Sequence, residues 1–105
     1  ALPHVITRLD EQVRKGETQG GILFVPSAAQ AGCFANRCCA LRAIVGTCEE
    51  AVRQGMEHVA ANVLIIEYPY QDAATMRAMI DRFVTGQRGN WALVNQRLEA
   101  LRVCE

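Results

Sequence analysis

The apolar positions of the chain switch between helical spacing and short unbroken runs, and these switches define its elements. Leu2, Val5, Ile6, Leu9 and Val13 share one helical face, with Arg8, Asp10, Glu11 and Arg14 between them. Residues 2–15 are therefore expected to form an amphipathic helix. Three glycines within residues 16–21 end it. Ile22, Leu23, Phe24 and Val25 then make a short apolar run closed by Pro26, the pattern of a strand buried on both faces. The small residues at 27–32 read as the turn that follows. A second run, Val63, Leu64, Ile65 and Ile66, is closed by Pro69 and predicts another buried strand.

Between the two runs, Phe34, Cys38, Leu41, Val45, Cys48, Val52, Gly55 and Val59 step by four and three. That stripe predicts helix over residues 34–59 with a break near Gly46. Two features pull the other way. Thr47 and Glu50 stand at capping-box spacing, which marks a helix that begins there. Leu41, Ala43 and Val45 also alternate as a strand would, so residues 39–45 carry a rival strand reading. Beyond the second run, Asp72 is placed to cap a helix bearing Met76, Met79, Ile80, Phe83 and Val84. Gly86-Gln87-Arg88-Gly89 ends that helix. Asn90 caps a last one whose seam is Trp91, Val94, Leu98 and Leu101.

The expected architecture is a helix-rich α/β domain. A small two- or three-stranded sheet, with strands near 22–26 and 62–68, is packed by four or five helices in a single domain over residues 1–105. A strand, a helical crossover and a second strand imply parallel pairing of right-handed sense. Two strands alone make a poor sheet, so either residues 39–45 or a second copy of the chain is expected to complete it.

Charge narrows the partners. Eleven basic residues balance eleven acidic ones. Nucleic-acid binders and anionic-membrane binders usually carry a basic excess, so neither partner is expected. No apolar run approaches the ~18 residues that span a bilayer. The first residues lack a basic segment followed by an apolar stretch, so no secretory signal is expected. Five cysteines, an odd number that includes the adjacent pair Cys38 and Cys39, read as reduced thiols in a cytoplasm.

Three groups of residues carry potential chemistry. Cys33, Cys38, Cys39 and Cys48 fall close together, but their intervals do not match the paired spacing of zinc sites, so no metal or cofactor is expected. Cys33, Cys38 and Cys39 remain a possible thiol site, with Cys33 at the start of a helix as the candidate nucleophile. The stretch from Cys33 to Arg37 superficially resembles a cysteine-phosphatase loop. Three residues separate the two, however, where that loop needs five. His4 and His58 lack a cysteine neighbour in sequence. Arg88, Gly89 and Asn90 stand just before a helix N-terminus, where a guanidinium and free amides converge on an anion. Met76, Met79, Phe83 and Trp91 offer an adaptable apolar face for a partner. With no nucleophile–base pair, metal spacing or phosphate loop in view, the chain is expected to be a small non-catalytic homo-oligomeric binding or regulatory protein. It would act on a protein partner through that face. The alternatives are a thiol-dependent redox or metal sensor, a small cysteine enzyme using Cys33, and a binder of an anionic small molecule near Arg88.

Overall fold

In the computed structural model, which describes residues 1–101, five helices surround a three-stranded parallel sheet. The elements follow in the order α1 (Leu2–Arg14), β1 (Gly21–Val25), α2 (Ala28–Asn36), β2 (Ala43–Val45), α3 (Glu49–Val59), β3 (Val63–Glu67), α4 (Ala73–Thr85) and α5 (Trp91–Glu99). A single 3₁₀ turn, Tyr68–Tyr70, separates β3 from α4. The strand order is β1-β3-β2. Gly21 pairs with Val63 and Val25 with Glu67 on one side; Ala43 pairs with Val63 and Val45 with Ile65 on the other.

Strand periodicity divides the core in two. Leu23 and Val25 of β1, Ala43 of β2, and Val63 and Ile65 of β3 face α1 and α2, where Ile6, Ala31 and Ala35 are buried. Ile22, Ile44, Leu64 and Ile66 face α3 and α4, against Val52, Met56, Met79 and Phe83. The central strand is covered on both faces, and Val63 to Ile66 are fully buried. Each such side chain contributes about 1.5–3 kcal/mol of burial. β1 and β2 each pair only with β3, so the outer edges of the sheet are open among the described residues.

The expected helix over residues 34–59 is three elements instead. α2 ends at Asn36, β2 occupies 43–45 and α3 begins at Glu49. The rival strand reading therefore holds for the last three of its residues. The two glycines in the stripe mark close packing. A Cβ on Gly55 would lie 2.5 Å from Ile44 Cδ1, and one on Gly46 would lie 2.8 Å from Met79 Sδ. The Asn36 carboxamide fixes the α2–β2 connection, accepting from the Ala43 amide (2.8 Å) and donating to its carbonyl (3.2 Å). The capping box does not form. Cys48 is the N-cap of α3 without a side-chain cap bond, and the Glu50 carboxylate accepts from Arg53 (2.8 Å) and Gln54 (3.1 Å). Residues 28–32, expected as a turn, already belong to α2, in keeping with alanine's helix preference. Asp72 and Asn90 do cap as expected, accepting from the Thr75 amide (2.7 Å) and the Leu93 amide (2.9 Å). Val103 and Cys104 lie outside the described residues.

Candidate functional site

At the amino ends of the strands, the Asn62 carboxamide accepts from the Arg42 amide (2.8 Å) and donates to the Ala40 carbonyl (2.9 Å). Its own carbonyl accepts from the Gly21 amide (3.0 Å). One buried residue, through its side chain and its backbone carbonyl, thus ties the starts of all three strands together. Gly20 has to lie beside it without a side chain, because a Cβ there would fall 1.9 Å from the Asn62 carbonyl oxygen.

The Arg88 turn packs against this edge. The Gly89 amide donates to the Met56 carbonyl (2.8 Å), and a Cβ on Gly89 would lie 2.3 Å from the Glu57 carbonyl oxygen. Arg88 is thereby drawn in beneath α4. Its guanidinium lies 5.2 Å from the centre of the Phe83 ring, and its Nε is buried with no hydrogen-bond partner among the described residues. Burial pushes its pKa below the ordinary arginine value, though the side chain stays charged. A cleft of about 450 Å³ opens beside it, lined by Arg88, Gly89, Trp91, Asn62, Cys39 and Thr18, among others. A second cleft, of about 550 Å³, adjoins it through Cys39 and takes in Cys38, Arg42 and Asn95.

Two of the sequence's separate candidates therefore meet here, as Cys39 and Arg88 line one cleft. Asn90 serves as the α5 cap, with its carboxamide turned to Leu93. Cys38 is half-buried, its Sγ 3.9 Å from the Phe34 carbonyl, and burial pushes its thiol pKa up, with Asp10 adding to the effect. Cys33 is exposed in the middle of α2, away from the helix N-terminus that was expected to activate it, and lines none of these clefts. No group of three or more potential metal ligands occurs among the described residues. His4 and His58 are exposed on α1 and α3. Met79 and Phe83 are spent in the chain's own core, Met76 packs against them, and Trp91 is half-covered by the Arg42 guanidinium at 3.9 Å.

The opposite edge of the sheet is differently made. β1 ends in Val25 and Pro26, and the first amide of α2, at Ala28, donates to the Glu67 carboxylate (2.7 Å). Glu49 and Asp72 stand at the starts of α3 and α4, and Arg82 is already paired with Glu49 (2.8 Å). Sequence reasoning passed over both Asn62 and Glu67. A polar residue directly before, and an acid directly after, the apolar run Val63–Ile66 was the available signal.

The architecture is that of a parallel three-layer α/β domain with a cationic cleft at the amino edge of its sheet. The family model described as Ribose/Galactose Isomerase matches residues 1–101, and the chain belongs to that family. Its fold is similar to that of the type B ribose 5-phosphate isomerase from Trypanosoma cruzi, with a TM-score of 0.82 at 20% identity over 97% of this chain and 68% of that one. The type B enzyme from Trypanosoma brucei gives 0.83 at 24% over 100% and 70%, and a ribose 5-phosphate isomerase from Thermotoga maritima 0.82 at 19% over 95% and 68%. At such identities the likeness is one of fold, and the chain spans about two thirds of each relative. No curated protein matches it in sequence. The family overturns the expectation of a non-catalytic regulatory protein, since it is one of isomerases. That expectation rested on missing motifs, and an isomerase that only moves protons needs no local sequence signature.

Proposed function

We propose that this chain is a sugar-phosphate isomerase domain, acting on a phosphorylated aldose of the ribose 5-phosphate class and holding it in the cleft between Arg88 and Cys39. The observation that carries the reading is the Arg88 side chain, whose buried Nε lacks a partner among the described residues at the wall of that cleft. A phosphate there meets a guanidinium and the free first-turn amides of α5. Family membership supports the class of reaction.

Aldose–ketose isomerisation asks for one base that removes a proton and returns it next door. Cys39 is the titratable cleft residue besides Arg88, and its thiolate suits that role. The thiolate takes the proton from C2, and the released pair forms the C1–C2 double bond of an enediol(ate). The thiol then returns the proton to C1 while the O2 proton passes to O1, which leaves a ketone at C2. No redox partner is consumed.

Deuterium incorporation from D₂O into ribose 5-phosphate, followed by NMR, tests the proposal. Wild type should incorporate label, and Cys39→Ser should abolish incorporation while retaining binding. Arg88→Ala should weaken binding at least tenfold. A wild-type protein that neither binds nor labels the sugar would overturn the reading.

We further propose that residues 1–101 act as one domain, supported by two core clusters packed on the two faces of one sheet. Self-association is proposed through α5, whose Leu93 and Leu98 are exposed, and Leu101 just beyond it is exposed too. No helix among the described residues is long and apolar enough to cross a membrane, and the free thiols at Cys33, Cys38, Cys39 and Cys48 support a reducing compartment.

A further inference from the structure

In open parallel sheets, ligands ordinarily bind outside the carboxyl ends of the strands, with anions on the helix N-termini there. This chain carries an anion of its own at that place. Val63, Ile65 and Glu67 alternate onto the same face of β3, the one covered by α2. Register sets Glu67 beside Val25, two residues before Ser27, the α2 N-cap. Ser27 makes no side-chain cap bond, and Pro26 has no amide to offer. The Glu67 carboxylate reaches across 39 residues of sequence to accept from the Ala28 amide at 2.7 Å. It fills the position that an external phosphate oxygen would take.

We infer that Glu67 is an internal anion that keeps phosphate and carboxylate ligands off the amino end of α2, and so determines which edge of the sheet a phosphorylated ligand uses. Two like charges cannot share one amide cluster without a large repulsive cost at contact distance. Asp72, the N-cap of α4 after the end of β3, places a further carboxylate at the carboxyl edge. The inference goes beyond the proposed isomerase and does not depend on it.

The test is a titration of the ¹⁵N-labelled full chain with inorganic phosphate, read at the amides of Ala28, Ala29 and Gln30. In wild type these signals should not respond. Glu67→Ala should make them titrate saturably, at least tenfold more tightly than any wild-type response. Glu67→Gln keeps an oxygen for the Ala28 amide but removes the charge, which protects the fold, and it should show a gain of the same sign. Wild-type amides that titrate like those of Glu67→Ala, or two folded variants with no gain, would overturn the inference. The Trp91 and Ala92 amides report the cleft in the same spectra. Silence there with the expected response at α2 would count against the Arg88 cleft alone.

Discussion

The Arg42 guanidinium lies over the Trp91 ring, its Cζ 3.9 Å from the ring centre, and this contact joins the start of β2 to the start of α5. The same group donates to the Val59 carbonyl (2.8 Å) and to the Asn95 carboxamide oxygen. One side chain thus closes the C-terminal helix onto the wall of the cleft. Charged hydrogen bonds of this kind contribute about 1.5–3 kcal/mol and the stacking about 0.5–1 kcal/mol more. Arg42→Ala should therefore destabilise the fold by about 2 kcal/mol or more in urea unfolding. Arg88→Ala, which breaks no hydrogen bond among the described residues, should cost at most about 1 kcal/mol.

Two glycines of opposite situation separate close packing from helix propensity. Gly20→Ala forces a Cβ to 1.9 Å from the Asn62 carbonyl oxygen, a backbone atom that cannot swing away. A loss of several kcal/mol, or failure to fold, is expected. Gly32 lies inside α2, and its nearest neighbour to a new Cβ is Ile65 Cδ1 at 3.8 Å, an ordinary contact. Gly32→Ala should raise stability by about 0.5–1 kcal/mol, measured as a shift in Tm.

Thiol reactivity should rank by burial. Cys38 has its pKa raised and its Sγ turned towards the Phe34 carbonyl, whereas Cys33, Cys39 and Cys48 are exposed. Iodoacetamide at mildly alkaline pH should label Cys38 roughly tenfold more slowly than Cys39, since the thiolate is the reactive form. Peptide mass mapping over time measures the ratio, and equal rates would contradict the burial assigned to Cys38.

Acid should weaken the fold through two capping and pairing carboxylates. Arg53 and Gln54 hold Glu50 down to about 2, and the Thr75 amide holds Asp72 below its usual value. A carboxylate whose folded pKa is depressed contributes stability above its unfolded pKa and loses it as pH falls through the folded value. Stability should therefore decline from about pH 4.5 down to about pH 2. The Asp72→Asn, Glu50→Gln double variant should show a shallower decline across that window in urea midpoints.

The periodic helices α1, α4 and α5 were legible because an amphipathic stripe is a local fact, and the caps of α4 and α5 were legible because Asp72 and Asn90 stand directly before their stripes. The two buried runs were legible for the same reason. β2 was legible only as a rival reading of residues 39–45, because Leu41, Ala43 and Val45 alternate while their neighbours continue a helical stripe, and a strand of three residues is too short to decide between the two. Gly46 and Gly55 read as weak points of a helix when they are places where α4 and β2 come close. In the site, Arg88 and Cys39 were each visible alone. Their meeting was not, because the cleft is assembled from α1, the segments before β1, β2 and β3, and the α4–α5 turn. The proposed isomerase chemistry rests on residues that carry no recognised motif.

The strand order has a consequence for how the chain comes into being. Among the described residues β1 and β2 do not pair with each other, and each finds its only partner in β3, the last of the three to be made. Gly21 waits for Val63, and so does Ala43. A nascent chain ending before residue 63 holds three helices' worth of local structure and two strands with nothing to pair with. Sheet formation is then a late and nearly simultaneous event, and its rate is governed by closing the loop between residues 21 and 63. Until that moment Ile22 to Val25 is an uncharged apolar strand without a neighbour, which makes the interval between synthesis of β1 and of β3 the time of greatest exposure to misassembly.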